Sequence, residues 1–400
     1  MTAKEKFAAT GSAYYLPEPR YDEDLVMVDK GTPAGEVFRR YWLPVAKSDT
    51  IKDLPVPVKA LGEDLILFRK PTGEVGLVYP RCIHRGTSLL WGKVTDNGIR
   101  CCYHGWTFET DGRCTVRPSE EGAEGGSKMT LRQPWYPVEE RYGFVFAYMG
   151  PPDRKPPLPR YDLLETIPDG WEIIADDTSI PSGGAGHMPC NWLQHHENGM
   201  DPAHVPILHE HQFPPIMALA KRTNGFFDKA EDRINGGDVT TIGAVMMDFK
   251  VNIIMPTVRV IPDPILTHPR PDGKSDQLSW TLPKDNTDTV VFTAVVRPKD
   301  ATPGNGELYN GKAWKDLSFE EHQRYPGDFE AQTGQGKITF HSEEHLFAQD
   351  KGIVLLRRQW REAIKTVQAG GDPPGAFGSS GYVETTAGAR MMPNPDFVPG

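Results

Sequence analysis

Two cysteine–histidine pairs are the residues whose types and spacing most directly suggest chemistry. Cys82 and His84 form a C-x-H pair, and sixteen residues further on Cys101 and His104 form a C-x2-H pair. Two thiolates and two imidazoles suit a [2Fe-2S] cluster that has both cysteines on one iron and both histidines on the other. Neutral imidazoles raise the reduction potential, so such a cluster would accept single electrons from a partner of lower potential.

A structural zinc site is the alternative for these four residues, because it uses the same ligand types. Zinc fingers usually place like ligands together, as C-x2-4-C and H-x3-5-H, whereas cysteine and histidine alternate here. The spacing therefore favours the cluster. Cys102 competes with Cys101, but only Cys101 has two residues between it and His104. We expect Cys102 to be a packed, free thiol beside the cluster, and Cys114 and Cys190 to be core residues.

The cluster motif lies within a section of short apolar runs that alternate with turn residues. This pattern is typical of a small all-β domain. The clearest runs are residues 65–68, 75–79 and 143–148. A proline-rich break over residues 150–159 ends the section and predicts a domain boundary near residue 155.

Beyond the break the composition predicts helices and strands together. Residues 192–209 and 350–367 are predicted to be helical, and residues 239–260 and 277–296 to form strands. The fold class is therefore α+β, in which helices cover an antiparallel sheet. The expected division is an N-terminal arm (1–40), a cluster domain (41–155), a second domain (156–369) and a Gly/Pro-rich extended arm or disordered tail (370–400).

Composition and charge exclude several classes of function. The 400 residues include 44 basic and 54 acidic side chains, a net charge of −10, without a long basic run, so nucleic acid is not an expected partner. No apolar stretch reaches the about 18 residues of a membrane span, and residues 1–20 lack the apolar region of a secretory signal, so we expect a cytoplasmic protein without membrane contact. Dinucleotide and nucleoside triphosphate motifs are also absent from the sequence.

The sequence resembles the oxygenase (alpha) subunits of Rieske non-haem iron oxygenases, whose cluster motif combines C-x-H and C-x2-H and ends in Tyr-His-Gly-Trp. That ending occurs here at residues 103–106, and further similarity lies at R-Y-W-L-P (40–44), L-G-E-D (61–64) and Y-M-G-P (148–151). The similarity is greatest to the phthalate dioxygenase and aromatic O-demethylase branch. It implies an N-terminal Rieske domain and a C-terminal helix-grip catalytic domain. The family motif has proline where this chain has Cys102, a departure that affects the cluster environment rather than its ligation.

A second motif, D-x2-H-x4-H, occurs at Asp201, His204 and His209. The resemblance implies that His204 and His209 bind a mononuclear Fe(II). It also implies that Asp201 bridges an iron histidine to a cluster histidine of the neighbouring subunit. Residues five apart on a regular helix point about 140° from each other, so we expect Pro206 to kink the helix and turn His209 toward the metal.

The third iron ligand is expected to be a carboxylate, as in the facial triad of non-haem iron oxygenases. The resemblance implies an acid at the start of the C-terminal helix. We predict Asp350, because Ile353 and Val354 at the next turn suggest that it projects from an apolar face. Glu343 and Glu344 are competitors.

The alternative interpretation is that the residues of the second motif bind no metal and are ordinary helix residues. His204 and His209 would then lie on a helix face, and Asp201 would cap the helix that begins at Pro202. The other nearby histidines match no motif position, and we expect them to be structural or to support the ligands. They are His187, His195, His196 and His211.

The implied activity is oxidation of an aromatic acid with O2 and electrons from a separate NAD(P)H-linked reductase or ferredoxin. We favour oxidative O-demethylation of a methoxylated, lignin-derived aromatic with release of formaldehyde; ring cis-dihydroxylation of a phthalate-like carboxylate is the alternative. Family resemblance also implies a homotrimer or stacked hexamer. Lys221, Arg222 and Arg259 are candidates for binding the substrate carboxylate, but a solvated surface charge is the expectation for each. Two other classes are less well supported. A pure electron carrier would need only the first motif, and the H-E-x-x-H motif of a zinc hydrolase is absent from this sequence.

Overall fold

The computed structural model describes most of the chain. The described residues are 3–118, 130–180, 183–210, 221–222, 226–242, 244–263, 268–301, 307–309, 312–376 and 381–395. Over these ranges the fold is α+β, which confirms the sequence prediction: small antiparallel sheets come first, and a large antiparallel sheet with covering helices follows.

Three small sheets carry the first metal motif. Their strands are β1 Trp42–Lys47, β2 Val56–Ala60, β3 Glu63–Arg69, β4 Val75–Val78, β5 Lys93–Thr95, β6 Gly98–Arg100, β7 Thr107–Phe108, β8 Cys114–Val116, β9 Trp135–Tyr136, β10 Val138–Arg141 and β11 Phe144–Tyr148. The strand orders are β1-β11-β10, β2-β3-β4-β9 and β5-β6-β7-β8. The loops that follow β4 and β6 bear the two cysteine–histidine pairs, so paired strands hold both loops in place.

A large antiparallel sheet forms the centre of the second half. The strands of this half are β12 Arg160–Tyr161, β13 Trp171–Asp176, β14 His187–Met188, β15 Lys221–Arg222, β16 Phe226–Lys229, β17 Arg233–Ile242, β18 Val245–Ile254, β19 Val258–Val260, β20 Gln277–Pro283, β21 Thr289–Pro298, β22 Glu307–Tyr309, β23 Lys312–Ala313, β24 Tyr382–Val383 and β25 Gly388–Pro393. The main path is β13-β21-β20-β19-β18-β17-β15, and β14, β16 and β25 pair with β21, β17 and β18. The pairs β12-β24 and β22-β23 lie outside this sheet.

The helices are short, apart from one. They are α1 Ala3–Thr10, α2 Glu23–Val26, α3 Pro33–Phe38, α4 Asp162–Glu165, α5 Trp192–Asn198, α6 Val205–Leu208, α7 Phe319–Arg324, α8 Asp328–Thr333 and α9 Lys351–Gln368. Trp360 of α9 packs against Phe38 of α3 and Trp192 of α5, with ring centroids 4.9 and 4.5 Å away. This aromatic contact fixes the start of α5, the helix that leads into the second metal motif.

One hydrophobic core joins the two halves. It extends from Leu25 to Ala387 and contains residues of both the first sheet and the large sheet. Phe144 of β11 lies 5.7 Å from Trp280 of β20 between ring centroids, and the backbone N–H of Leu61 donates to the Pro283 carbonyl at 3.0 Å. The domain boundaries given above therefore stay a prediction, because packing is continuous across them.

Both terminal segments pack onto the second half. Strand β25 pairs with β18 over six residues, so the described part of the predicted tail is extended and hydrogen-bonded. Near the other end, Leu25, Val28 and Phe38 are fully buried in the shared core. Among the described residues, no helix is both long and apolar enough to cross a membrane.

Candidate functional site

Two similar turns carry the cysteine–histidine pairs. In one, the backbone N–H of Gly86 donates to the Cys82 carbonyl at 2.8 Å, and in the other Gly105 donates to Cys101 at 3.1 Å. The two glycines have φ angles of +77° and +75°, a left-handed conformation that residues with a side chain rarely adopt. Each turn thereby exposes its histidine, His84 or His104, beside a buried cysteine.

The four side chains converge between the two turns. Cys82 and Cys101 are 2% and 4% exposed, and the rings of His84 and His104 lie 4.6 Å apart. His84 also stacks in parallel on Trp106, which fixes the plane of its imidazole. The structure thus brings together two sulfur and two nitrogen donors, the set that a [2Fe-2S] cluster with mixed ligation requires.

The surroundings of Cys82 and His104 shift the pKa values of both side chains. Burial, together with the nearby Cys101, raises the pKa of the Cys82 thiol, so a bound cation would be needed to hold Cys82 as a thiolate at neutral pH. Desolvation and the nearby His84 and Arg85 lower the pKa of His104. All five cysteines lie in the described part of the chain and none is in a disulfide. The prediction that Cys102 is packed is wrong, because its side chain is exposed; Cys190 is buried as expected, whereas Cys114 is only half-buried.

The second motif is built on two short helices rather than on one. Residues 192–209 were predicted to be a continuous helix, but α5 ends at Asn198 and α6 begins at Val205. The prediction of a kink at Pro206 is wrong for this reason: Pro206 lies in the first turn of α6, where its missing N–H costs nothing. His204 and His209 instead flank α6 as its two end residues, and their rings lie 5.5 Å apart.

His204, His209 and Asp328 form the group that can hold a metal ion. One ligand atom from each lies within 4.8 Å of the others. The Asp328 Oδ1 atom is 3.5 Å from His204 Nε2 and 3.6 Å from His209 Nε2. Two imidazoles and one carboxylate, all largely buried, match the facial ligand set of non-haem iron enzymes, so the residues present fit a mononuclear iron.

Asp350 is not part of this group, and the prediction that it supplies the carboxylate is corrected to Asp328. Asp350 immediately precedes α9, and its Oδ2 accepts a hydrogen bond from the backbone N–H of Phe347 at 2.7 Å. The face that it was expected to share is not buried, because Val354 is 48% exposed. The competitor Glu344 is also occupied, since both of its oxygens accept hydrogen bonds from Arg357.

Asp328 was missed because no motif marks it. It is the first residue of α8, and the only local signal is the helix start, where the side chain of Glu330 accepts from the Gly327 N–H at 2.8 Å. Side-chain amides hold α8 against α5: Gln194 Nε2 donates to the Gln332 carbonyl at 2.8 Å. This packing, which joins residues far apart in sequence, brings Asp328 to the histidines.

Asp201 lies on the far side of the His204 ring. Its Oδ2 is 3.6 Å from His204 Nδ1, and its Oδ1 accepts the Ala203 N–H at 2.9 Å. Burial opposes its charge, but His204 and the backbone N–H groups of Ala203 and His204 outweigh burial and keep the pKa of Asp201 below its ordinary value. A carboxylate placed there can orient His204 so that Nε2 faces the metal.

A buried polar network surrounds the end of α5. His195 Nδ1 lies 2.8 Å from Gln332 Oε1, and Nε2 receives a short hydrogen bond from Arg259. Burial first, and Arg259 second, lower the pKa of His195 far below its ordinary value, so it is neutral and accepts from the guanidinium. Burial also lowers the pKa of Arg259 to about 10, which leaves it protonated at neutral pH.

The remaining predicted residues have other surroundings. His196 is fully buried, and His187 Nε2 pairs with Asp288 Oδ1 at 3.2 Å, which supports their expected structural roles. His211 lies outside the described residues. For Lys221 and Arg222 the structure describes the backbone of β15 only, so the expectation of a solvated surface charge stays a prediction. For Arg259 that expectation is wrong, because its side chain is buried.

Comparison with known proteins identifies the family. Residues 41–133 match the family described as the Rieske [2Fe-2S] domain. Over 91% of its length the chain is 45% identical to the phenoxybenzoate dioxygenase subunit alpha of Ectopseudomonas oleovorans, of which the match covers 90%. The chain belongs to the Rieske non-haem iron oxygenases. This Rieske oxygenase is also 32% identical, over 88% of its length, to the 5,5'-dehydrodivanillate O-demethylase oxygenase subunit of Sphingobium sp., of which it covers 81%.

A solved structure supports the same fold. NdmA from Pseudomonas putida CBB5 superimposes with a TM-score of 0.62 at 18% identity, and the match covers 91% of this chain and 99% of that one. The Rieske oxygenase described here is therefore an oxidoreductase of the alpha-subunit type, and its cofactors are a [2Fe-2S] cluster and a mononuclear iron. The predicted cofactors are confirmed.

Proposed function

We propose that this Rieske oxygenase oxidises an aromatic carboxylate that bears an aryl ether, by O-demethylation of a methoxylated, lignin-derived acid with release of formaldehyde. The observation that carries the proposal is the buried group of His204, His209 and Asp328, because a set of two histidines and one carboxylate would leave positions of a bound iron for O2 and substrate. The relative named as an O-demethylase supports the reaction, and both relatives are named for aryl ethers.

We assign the ligands from the geometry of the side chains. Cys82 and Cys101 hold one iron of the cluster, and His84 and His104 hold the other. When bound, the cluster supplies electrons one at a time and the mononuclear iron supplies activation of O2. Residues 41–155 form the Rieske domain and residues 156–369 the catalytic domain in this proposal.

Side chains of this chain orient the proposed metal ligands. His204 and His209 present Nε2 atoms, and Asp201 contacts Nδ1 of the former. We infer that Asp201 also contacts a cluster histidine of a neighbouring subunit in a homotrimer or stacked hexamer. Such a carboxylate would orient both imidazoles across the interface.

An electron donor, either a ferredoxin or an NAD(P)H-linked reductase, docks near the cluster in this proposal. An open groove of about 460 Å³ lies beside the second turn, with Lys93 and Arg100 among its lining residues. Tyr103 in the groove is 56% exposed, and Trp91 nearby in sequence is 71% exposed. Basic and aromatic side chains suit an acidic protein partner with an apolar contact centre.

Ring dihydroxylation is the second candidate, because the relative of 45% identity is named as a dioxygenase. The two reactions differ in their products and in the fate of the two oxygen atoms of O2. O-demethylation converts ArOCH3, O2, two electrons and two protons into ArOH, formaldehyde and water. Dihydroxylation puts both oxygen atoms of O2 into the ring and releases neither formaldehyde nor water.

Product analysis of the reduced enzyme separates these candidates. Methoxybenzoates, phenoxybenzoates and phthalate would be incubated with the fully reduced protein and 18O2, and the methyl ester of each acid would serve as a matched control without the carboxylate. We expect stoichiometric formaldehyde and the demethylated phenol from a methoxybenzoate, and no product from its ester. A ring product that carries two 18O atoms, without formaldehyde, would replace O-demethylation by dihydroxylation.

Iron analysis tests the ligand assignment independently of the substrate. Purified protein should hold about three irons and two sulfides per chain. His209→Ala should lose the mononuclear iron and keep the cluster spectrum, whereas Cys101→Ala should lose the cluster spectrum. Retention of all three irons by His209→Ala would contradict the assignment.

A further inference from the structure

A buried arginine lies close to the proposed metal ligands without being one of them. Arg259 of β19 is 9% exposed, and its Nη1 donates to the His195 carbonyl at 3.2 Å as well as to the His195 ring. Its Nη2 lies 3.4 Å from the side-chain oxygen of Asn198. Gly199 makes this approach possible, because a Cβ atom there would lie 2.9 Å from Arg259 Nε. A cation at the last turn of α5 is also favoured by the helix dipole.

The amide of Asn198 lies between this cation and an anion. Its oxygen faces Arg259, and its Nδ2 donates to Asp328 Oδ1 at 3.1 Å and lies 3.3 Å from His204 Nε2. A half-turn of the amide would place N–H groups against the guanidinium and an oxygen against the Asp328 carboxylate. Both contacts would be repulsive, so the two charges together select one orientation of the amide.

The selected orientation matters because of the atoms that the amide touches. His204 Nε2 and Asp328 Oδ1 lie 3.5 Å apart, and both would face a metal bound by the proposed ligands. An amide nitrogen that carries two hydrogens is a donor only, whereas an amide oxygen is an acceptor and a metal ligand. If the oxygen of Asn198 faced the metal, it could become a fourth protein ligand and occupy a position that O2 and substrate need.

We propose that Arg259 is a positioning residue that keeps the oxygen of the Asn198 amide turned away from the iron, so that Asn198 does not become a fourth protein ligand. This inference rests on the ligand set of His204, His209 and Asp328 proposed above, and it is independent of which aromatic acid is the substrate.

The test compares iron release and nitric oxide binding in the holoenzyme. The cluster is kept oxidised and therefore silent in electron paramagnetic resonance, so that the nitrosyl signal of the mononuclear Fe(II) can be measured. In Arg259→Met the amide is free to turn and to bind iron. We expect a ferrous chelator to remove the mononuclear iron more slowly, by about tenfold, and nitric oxide to bind more weakly than in the wild type.

Adding Asn198→Leu to Arg259→Met should abolish both effects, since the added ligand is then absent. A purely structural role for Arg259 predicts the opposite sign, namely faster release of iron from Arg259→Met, and that result would overturn the proposal. Arg270→Met is the matched control, because Arg270 is also buried, at 5% exposed, but it pairs with Asp272 and donates to the Leu163 and Thr166 carbonyls. Both measurements should be unchanged in this control.

A single variant keeps the proposal testable if Arg259→Met does not fold. Asn198→Leu with Arg259 intact should not bind nitric oxide more tightly than the wild type, because the amide is not a ligand to begin with. Tighter binding would show that the amide oxygen already occupies a metal position, and the proposal would be wrong. Retention of iron by His209→Ala would instead identify a failure of the ligand set.

Discussion

The carboxylate ligand is the part of the site that an experiment can decide most directly. Asp328→Asn keeps the size of a side chain that is 4% exposed, but it removes the one carboxylate that lies beside both histidines in the described metal group. Changes to outer-shell partners of a metal site weaken metal binding by about 10–100-fold. A direct ligand should contribute at least the upper value, so we expect the mononuclear iron to bind at least ~100-fold more weakly, or about 2.7 kcal/mol.

The assay is iron per chain together with competition by a ferrous chelator, and the absorbance of the cluster is the internal standard. Asp350→Asn is the matched control. It weakens one hydrogen bond to the Phe347 N–H and should lower the free energy of unfolding by about 1 kcal/mol, with the iron content unchanged. Normal iron affinity in Asp328→Asn, combined with iron loss in Asp350→Asn, would refute the structural argument and restore the original prediction.

Three further predictions concern other parts of the chain. Arg357→Met leaves Glu197 and Glu344 without their shared cation and should lower the free energy of unfolding by about 3–5 kcal/mol. Arg358→Met is the control: the Arg358 side chain is 72% exposed, and its loss should change the free energy of unfolding by less than about 0.5 kcal/mol. Equal denaturation curves for the two variants would show that the buried ion pairs do not stabilise the fold. Asp201→Asn should bind both metals but slow reoxidation of the reduced cluster in a single turnover with substrate and O2, and a wild-type rate would leave Asp201 only its contact with the Ala203 N–H. Burial raises the pKa of Asp276 to about 6, so the folded protein holds an extra proton between about pH 4 and 6 and loses up to roughly 3 kcal/mol of stability as the pH rises through that window. Asp276→Asn should remove this slope in urea titrations, and an unchanged slope would show that Asp276 does not titrate in this range.

The sequence determined the cluster motif and the family. The residues of C-x-H and C-x2-H lie on two short turns, and such local chemistry can be recognised from residue type and spacing without knowledge of the packing. The α+β class and helix α9 were also predictable, because an apolar periodicity of helical or strand type is a property of neighbouring residues. Helix α9 spans Lys351–Gln368, close to the predicted range of 350–367.

The tertiary structure decided which carboxylate joins the two histidines and how the neighbouring amide is oriented. Asp328 lies 119 residues beyond His209 in the sequence. It reaches His209 only because α8 packs on α5. Asp350 was chosen from a local apolar pattern, but which face of a helix is buried depends on the elements packed against it, and these came from distant parts of the chain. The contact of Arg259 with Asn198 has the same origin. Spacing specifies chemistry within one turn or helix, whereas a site assembled from several elements is specified by their packing.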